Sequence, residues 1–291
     1  YMQMVKETKR ISRNIHAVYC DKQINLLLMS DLHWDNPKCD RELLKNHLDE
    51  AVKRGCKIVL NGDTFCMMQG KYDPRRSKKD IRPEHNKANY IDAVIQDAVE
   101  WFAPYKDHIL LVGYGNHETA ILKALETDPI QRFVDLFNTT HGANVYAGGY
   151  GGVVDFKFNL TDNGHRRKWT LRYFHGFGGG GAVTKGVIQD QRFMASMEGY
   201  DCIWQGHVHE LYHHINPVEV YDSHQKKIKA RNVHQIRTST YKEEYEDGFG
   251  GFHIERGRPP KPLGSMWLTL TANLRETEVT PEFTFCQQFY V

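Results

Sequence analysis

The sequence predicts an α/β fold in which two packed β-sheets are flanked by helices. In the first half of the 291 residues, apolar runs alternate with segments of helical periodicity, which is typical of βαβα arrangements. From about residue 144 onward, short alternating runs joined by glycine-rich turns predict strands instead. Hydrophobic residues make up 40% of the chain, enough for a substantial core. We therefore predict one domain over residues 24–291, preceded by a leader or an edge strand at residues 1–23.

The individual elements follow from apolar spacing and from helix start and stop signals. Residues 24–29 hold five apolar residues in six positions, which predicts a strand buried on both faces. Residues 40–54 place apolar side chains at helical spacing and stop before Gly55. Further helices are predicted at residues 88–102, 120–126, 130–137 and 188–197, and further strands at residues 153–158 and 169–174. The segment after residue 213 alternates in the manner of strands, with a Gly/Pro-rich interruption.

Five apolar runs end in side chains that can bind a metal ion. These side chains are Asp31 and His33, Asp63, Asn116, His175, and His207 with His209. The carboxyl ends of strands are where α/β sheets place their ligands, so residues far apart in sequence can converge there. Carboxylate oxygen and imidazole nitrogen suit hard and borderline divalent ions. Seven candidate ligands are enough for two ions if one ligand bridges them.

His117 follows the candidate ligand Asn116 directly. One loop turn does not easily deliver two adjacent side chains to one ion, so we expect His117 to point elsewhere. A histidine beside a dinuclear site that is not itself a ligand is a candidate general acid. The alternative is a structural histidine.

The ordered set of motifs resembles the calcineurin-like metallophosphoesterase superfamily. The set comprises Asp-x-His, Gly-Asp, Gly-Asn-His-Glu, a lone histidine at a strand end, and Gly-His-x-His, between about residues 24 and 209. The resemblance implies a four-layer α-β-β-α sandwich of two mixed sheets between helices. It also implies hydrolysis of phosphate esters by a hydroxide that two divalent metal ions activate. Mn²⁺ is favoured, and Fe, Zn²⁺ and Ni²⁺ accept the same ligands.

The resemblance also assigns a role to each motif residue. It implies that Asp31, His33 and His209 hold the first ion, that Asn116, His175 and His207 hold the second, and that Asp63 bridges both and is essential for catalysis. His117 would protonate the leaving oxygen or assist at the phosphoryl group. One position departs from the family pattern: many members read Gly-Asp-x-x-Asp, and Cys66 stands where the second aspartate would orient the catalytic histidine. This departure argues against a protein-phosphatase type of activity.

A basic segment follows the predicted bridging residue. Residues 71–87 contain seven basic and three acidic residues. The segment is either a solvated loop or a lid for an anionic substrate, in which Arg75, Arg76, Lys78 and Lys79 would contact the substrate. A run of glycines at residues 176–181 directly follows His175. It is either a flexible loop or a place where backbone amides approach a phosphate.

Composition limits the function further. The formal net charge of +2 gives no global nucleic-acid signature, and no apolar window is long enough to span a membrane. Six scattered cysteines without a CxxC pair predict reduced thiols in a cytoplasmic protein. The favoured function is a metal-dependent phosphodiesterase acting on nucleic acid or nucleotides. Alternatives are a phosphomonoesterase or nucleotide pyrophosphatase, and a non-catalytic scaffold that should have lost ligands. The oligomeric state is not predicted.

Overall fold

The computed structural model describes residues 5–69, 73–74, 76–161, 164–245, 254–257 and 259–287. Within these residues, thirteen strands form two mixed sheets, one of seven strands and one of six, accompanied by five α-helices. The predicted α/β class with two mixed sheets is confirmed. The strands are β1 (Val5–Ser12), β2 (Ile15–Cys20), β3 (Gln23–Met29), β4 (Lys57–Leu60), β5 (Ile109–Val112), β6 (Tyr146–Ala147), β7 (Gly151–Asn159), β8 (Arg166–Phe174), β9 (Cys202–Gln205), β10 (Tyr212–Asp222), β11 (Lys227–Arg237), β12 (Gly264–Ala272) and β13 (Val279–Gln287). The helices are α1 (Arg41–Lys53), α2 (Tyr90–Phe102), α3 (Asn116–Leu125), α4 (Pro129–His141) and α5 (Val187–Met194).

The six-stranded sheet has the order β13-β12-β3-β4-β5-β6, and β3 to β6 run parallel to one another. Its central strand β3 contributes to two cores. Leu27 and Met29 pack with helices α1, α2 and α4, whereas Leu26 and Leu28 pack with the other sheet. Successive side chains of a strand point to opposite faces, so both faces of β3 must be apolar. This explains the continuous apolar run in the sequence.

The seven-stranded sheet has the order β1-β2-β7-β8-β9-β11-β10. Its inner face supplies Phe156, Leu171 and Trp204 to the core that contains Leu26 and Leu28, so the two sheets pack face to face. Helix α5 lies against the outer face, where Asp190 pairs with Arg237 of β11. Strands β8 and β9 are parallel neighbours, which brings their carboxyl ends together.

Between residues 5 and 20, ahead of the first motif, the chain forms strands β1 and β2. β1 lies at the edge of the seven-stranded sheet and pairs only with β2, which pairs in turn with β7. None of the described helices is both long and apolar enough to cross a membrane. All six cysteine side chains are buried and free.

The start of helix α3 differs from the sequence prediction. We predicted a helix over residues 120–126 and placed Asn116 and His117 in a loop, but both residues belong to the first turn of α3. Glu118 explains the earlier start, because its carboxylate accepts hydrogen bonds from the backbone N–H groups of Gly115 and Asp63. A glutamate at this position satisfies N–H groups that a helix start leaves unpaired. The loop prediction for Asn116 and His117 is therefore wrong, although both follow β5 as expected.

Candidate metal centre

The seven predicted ligands meet where the carboxyl ends of five strands converge. Strands β3, β4 and β5 of one sheet deliver Asp31 and His33, Asp63, and Asn116. Strands β8 and β9 of the other sheet deliver His175, and His207 with His209. Backbone hydrogen bonds continue beyond the strands and fix the loops. The N–H of His33 donates to the carbonyl oxygen of Asp63 at 3.0 Å, and the N–H of Gly206 donates to that of His175 at 2.8 Å.

The first group of ligands comprises Asp31, His33 and His209. The Nε2 atoms of His33 and His209 lie 3.4 Å apart, and Nε2 of His209 lies 3.3 Å from Oδ1 of Asp31. Ligands that each lie about 2.1 Å from one ion are about 3.0–3.4 Å from one another in octahedral or tetrahedral geometry. The spacing therefore fits a shared cation.

The second group comprises Asn116, His175 and His207, with Asp63 beside them. Oδ1 of Asn116 lies 2.8 Å from Nδ1 of His207 and 3.2 Å from Nε2 of His175. Nε2 of His175 also lies 3.2 Å from Oδ2 of Asp63, and 3.9 Å from Oδ1 of Asp31 in the first group. The two groups thus adjoin, and Asp63 lies beside His175 of the second group.

The backbone of the centre is conformationally unusual. Among the described residues, nine non-glycine residues have positive φ. Five of them are candidate ligands: Asp31, His33, Asp63, His207 and His209, with φ between 47° and 71°. Left-handed backbone costs a non-glycine residue on the order of 1–3 kcal/mol and persists only where the surroundings impose it. This concentration of strain at one site indicates a functional geometry.

Two glycines allow the ligand loops to approach each other closely. A Cβ atom on Gly115 would lie 2.0 Å from Oδ1 of Asp63, and one on Gly206 would lie 2.5 Å from Oδ2 of Asp31. The Gly206 position also lets the N–H of His207 donate to the Asp31 carboxylate, at 2.9 Å from Oδ2. A side chain at either glycine would displace a carboxylate of the centre.

The electrostatics of the centre favour a cation. Burial raises the pKa of Asp31 and of Asp63, but neighbouring histidines, His175 foremost, outweigh burial, so both pKa values lie below the ordinary value and that of Asp63 well below. Burial lowers the pKa of His175, yet the Asp63 and Asp31 carboxylates together raise it to about 10. The buried carboxylates thus require positive charge beside them. The donor atoms, their spacing and their charge all fit divalent ions.

His117 lies beside the centre, on the side of the first ligand group, and its ring does not join the group that contains His175 and His207. Its Nε2 atom is 3.8 Å from Oδ2 of Asp63, and its ring contacts the ring of His33 edge to face, with centroids 4.8 Å apart. Its Nδ1 atom lies 2.7 Å from the backbone carbonyl oxygen of Cys66. This carbonyl supplies the orienting acceptor that the sequence left unidentified. The His117 side chain keeps 11% of its surface exposed, so a substrate can reach it.

Asp35 holds the Cys66 segment in place and was not predicted as a site residue. Its buried carboxylate accepts hydrogen bonds from the N–H groups of Cys66 and Met67 and from the hydroxyl of Tyr90, the last two at 2.9 and 3.0 Å. The signal in the sequence was its position, two residues after His33 in an Asp-x-His-x-Asp run.

Arg237 was also not predicted as a site residue. Its guanidinium donates to the carbonyl oxygen of Gly206, beside His207.

The basic segment packs against the loop that follows His33, but the described residues that were predicted to contact substrate are exposed. Arg82 anchors the segment by donating to the carbonyl oxygens of Asn36 and Cys39, each at 3.1 Å. The predicted contact residues Arg76, Lys78 and Lys79 are exposed, and Arg75 lies outside the described residues. In the glycine-rich loop, Gly178 presents its carbonyl oxygen to Nε2 of His207 at 2.9 Å.

Known proteins show little similarity to this chain. No protein-family model matches it, and no curated protein matches it. A solved structure that matches is GAP50, "the anchor in the inner membrane complex of Plasmodium", with a TM-score of 0.41 and 10% sequence identity over 91% of this chain and 85% of that one. The proposed function therefore depends on the residues of the centre alone.

Proposed function

We propose that this protein is a metal-dependent phosphoesterase with the four-layer α-β-β-α arrangement of the metallophosphoesterases. One observation carries the proposal: two adjoining groups of nitrogen and oxygen ligands, with His117 directly beside them. Asp31, His33 and His209 would hold one divalent ion and Asn116, His175 and His207 the other, with Asp63 between the two. A non-catalytic scaffold is disfavoured because all seven ligand positions carry competent donors.

Two divalent ions, Mn²⁺ foremost, would supply Lewis acidity and an activated water at the phosphorus atom. The protein's own part is to position the substrate and to move a proton. The Cys66 carbonyl accepts from Nδ1–H of His117, which leaves Nε2 directed at the reacting phosphate. A protonated Nε2 can give its proton to the leaving oxygen, which is general acid catalysis.

We favour phosphodiesters, with nucleic acid or nucleotides first among them, and a cytoplasmic location. The support is the basic segment anchored beside the first ligand group, because a polyanion is stabilised by lysine and arginine at the edge of its binding site. Phosphomonoesters and nucleotide pyrophosphates are the alternatives. A phosphomonoester would need no such segment, because the ions themselves neutralise its single phosphate.

The deciding experiment combines metal analysis with a substrate panel. The protein is loaded with Mn²⁺, its metal content is measured, and hydrolysis of bis(p-nitrophenyl) phosphate, p-nitrophenyl phosphate, ATP, and single- and double-stranded DNA and RNA is compared. We expect two ions per chain and the highest kcat/KM for diesters. A higher value for p-nitrophenyl phosphate would identify a monoesterase, and hydrolysis of ATP alone would identify a pyrophosphatase. No bound ion and no hydrolysis would refute the proposal.

A further inference from the structure

A cavity of about 470 Å³ lies one helical turn from His117. Its walls come from three parts of the chain: Met67, which follows Cys66; Tyr90 at the start of α2; and Ile121 and Leu125 of α3. The basic segment covers it with Ile81 and Lys87. Small-molecule sites in proteins occupy about 300–1,000 Å³ and combine apolar walls with a few polar groups. The size and lining of this cavity fit that description.

Helix α3 connects the cavity to the centre. His117, Ile121 and Leu125 are spaced at i, i+4 and i+8, so their side chains form one stripe along the helix. One turn of helix advances about 5.4 Å. The stripe therefore leads from the candidate acid at the ligands directly into the cavity wall. Leu122, which follows Ile121, is 37% exposed and does not line the cavity.

Asp35 is a second connection between the cavity and the centre. The same carboxylate that holds the N–H of Cys66 accepts from the N–H of Met67 and from the Tyr90 hydroxyl, and these two residues line the cavity. The orienting carbonyl of His117 and one side of the cavity thus belong to a single hydrogen-bonded unit. A group bound in the cavity would therefore keep a fixed position relative to His117.

We propose that this cavity binds the nucleoside on the leaving side of the scissile phosphate. A general acid must contact the leaving oxygen, so the rest of the leaving group extends past His117, away from the ligands and toward the cavity. The aliphatic walls and Tyr90 suit the flat face of a base, and Lys87 at the edge suits the next phosphate of a strand. This inference rests on the proposed phosphodiesterase function and narrows its substrate to one that carries a nucleoside beyond the cleaved bond.

The test uses dinucleoside phosphates in which one base is removed at a time. The abasic and the base-bearing compounds share the same phosphate and a sugar hydroxyl leaving group, so they differ in what fills the cavity. With the Mn²⁺-loaded protein, we expect removal of the leaving-side base to lower kcat/KM about tenfold or more, within the range for stacking one base. Removal of the other base should have a smaller effect.

Ile121→Trp fills the cavity, and Leu125→Trp fills it from a partly exposed position in case the first variant does not fold. Metal content and thermal unfolding show which variant is intact. We expect the intact variant to treat base-bearing and abasic substrates alike, whereas the matched control Leu122→Trp should keep the wild-type ratio. The assignment would be overturned if the wild type had the same kcat/KM for base-bearing and abasic substrates, or if filling the cavity left the ratio of these two values unchanged. In either case, hydrolysis of bis(p-nitrophenyl) phosphate would still support the phosphodiesterase. Absence of all diester hydrolysis would overturn both.

Discussion

The Nδ1 atom of His117 lies 2.7 Å from the backbone carbonyl oxygen of Cys66, and this contact sets the direction of the candidate acid. In many members of the superfamily that the sequence resembles, an aspartate stands at the position of Cys66, so the sequence left the orienting group of His117 open. The main chain accepts the hydrogen bond instead, and the Asp35 carboxylate fixes that main chain through the N–H of Cys66. The orienting role therefore does not depend on the Cys66 side chain.

Replacing His117 should separate catalysis from metal binding. We expect His117→Gln to keep both ions and to lose on the order of 100-fold or more in kcat, because general acid catalysis contributes about that much. The loss should be larger for an alkyl leaving group than for p-nitrophenol, which leaves without a proton. The measurement is kcat for matched diesters together with metal content. Equal losses for both leaving groups would mean that His117 positions the phosphoryl group instead.

Cys66→Ala is the matched control for this prediction. The backbone carbonyl remains, so kcat should stay within about threefold of the wild type, the scatter usual for a context-dependent contact. Asp35→Asn should reduce kcat more than Cys66→Ala does, because it weakens the hold on the Cys66 main chain. If Cys66→Ala proves the more damaging, the thiol itself matters, through its contact with the Asn36 amide or its place beside His33 and His117.

The sequence identified the candidate ligands but not the groups that support them, for a physical reason. Asp31 and His209 could be predicted because their side-chain chemistry and strand-end position are both visible in the sequence. The role of the Cys66 carbonyl could not be predicted, because every residue has a carbonyl and only the fold decides which one meets a histidine. The two core-facing sides of β3 were likewise readable from the apolar pattern. The left-handed backbone of His33 was not, since such backbone is uncommon in any non-glycine residue, histidine included.

Asp63→Asn should abolish binding of both ions. In the proposed arrangement Asp63 bridges the two ions, and an amide supplies neither its charge nor a second anionic oxygen. We expect less than one tightly bound ion per chain and loss of hydrolysis, measured by elemental analysis after dialysis. Asp97→Asn is the matched control, because Asp97 with Glu84 and His85 forms a separate acidic and histidine cluster. Loss of an ion in this control instead would relocate one metal site.

Arg237 should support the His207 loop through a buried ion pair. Arg237 and Asp190 are each 1% exposed, with Nε of Arg237 donating to Oδ2 of Asp190 at 2.8 Å. Arg237→Met removes the cation beside the Asp190 carboxylate, to which the Tyr212 hydroxyl still donates, and should lower the free energy of unfolding by about 3–5 kcal/mol. Arg237→Met combined with Asp190→Leu should recover much of that loss but not the metal affinity, since the Gly206 carbonyl still lacks its donor. Equal stability of the single and double variants would argue against a coupled pair.

His16 should make the protein sensitive to acid. It is 1% exposed with neither ring nitrogen hydrogen-bonded to a described residue, and burial, followed by the nearby Arg10, lowers its pKa to about 4. Below the ordinary pKa of about 6.5 the unfolded chain binds more protons than the folded one, so the free energy of unfolding falls as the pH drops from 6.5 toward 4. We expect this group to account for about 3 kcal/mol of that fall.

Denaturant unfolding of wild type and His16→Phe at several pH values measures this contribution by difference. The variant should lose less stability between pH 6.5 and 4, and the two profiles should run parallel above pH 7. His224→Gln, in the exposed turn between β10 and β11, should keep the wild-type profile. Parallel profiles for His16→Phe throughout the range would show that folding does not lower the pKa of His16.

The basic segment should contribute to polyanion binding and not to chemistry. Arg82 anchors it to the loop that follows His33, and Arg76, Lys78 and Lys79 are exposed there. Replacing Arg75, Arg76, Lys78 and Lys79 with serine should raise KM for single-stranded DNA. It should also reduce the slope of log binding constant against log salt by up to about 3, since each phosphate contact releases about 0.7 of a counterion. The kcat/KM for bis(p-nitrophenyl) phosphate should change by less than about twofold, because this substrate releases no counterions from a strand.

Charge alone must be separated from position in this experiment. Serine at Lys226, Lys227 and Lys229 removes a similar charge from the far end of the β10–β11 hairpin. Lys227 is ten residues along β11 from Arg237, or about 33 Å of extended strand. We expect this control to change the salt slope by less than about 0.7, the contribution of one phosphate contact. Charges at this distance contribute little, because the Debye length at physiological salt is only about 8 Å. If both sets of substitutions weaken DNA binding equally, the basic segment has no special role. A small phosphoester would then be the better candidate substrate.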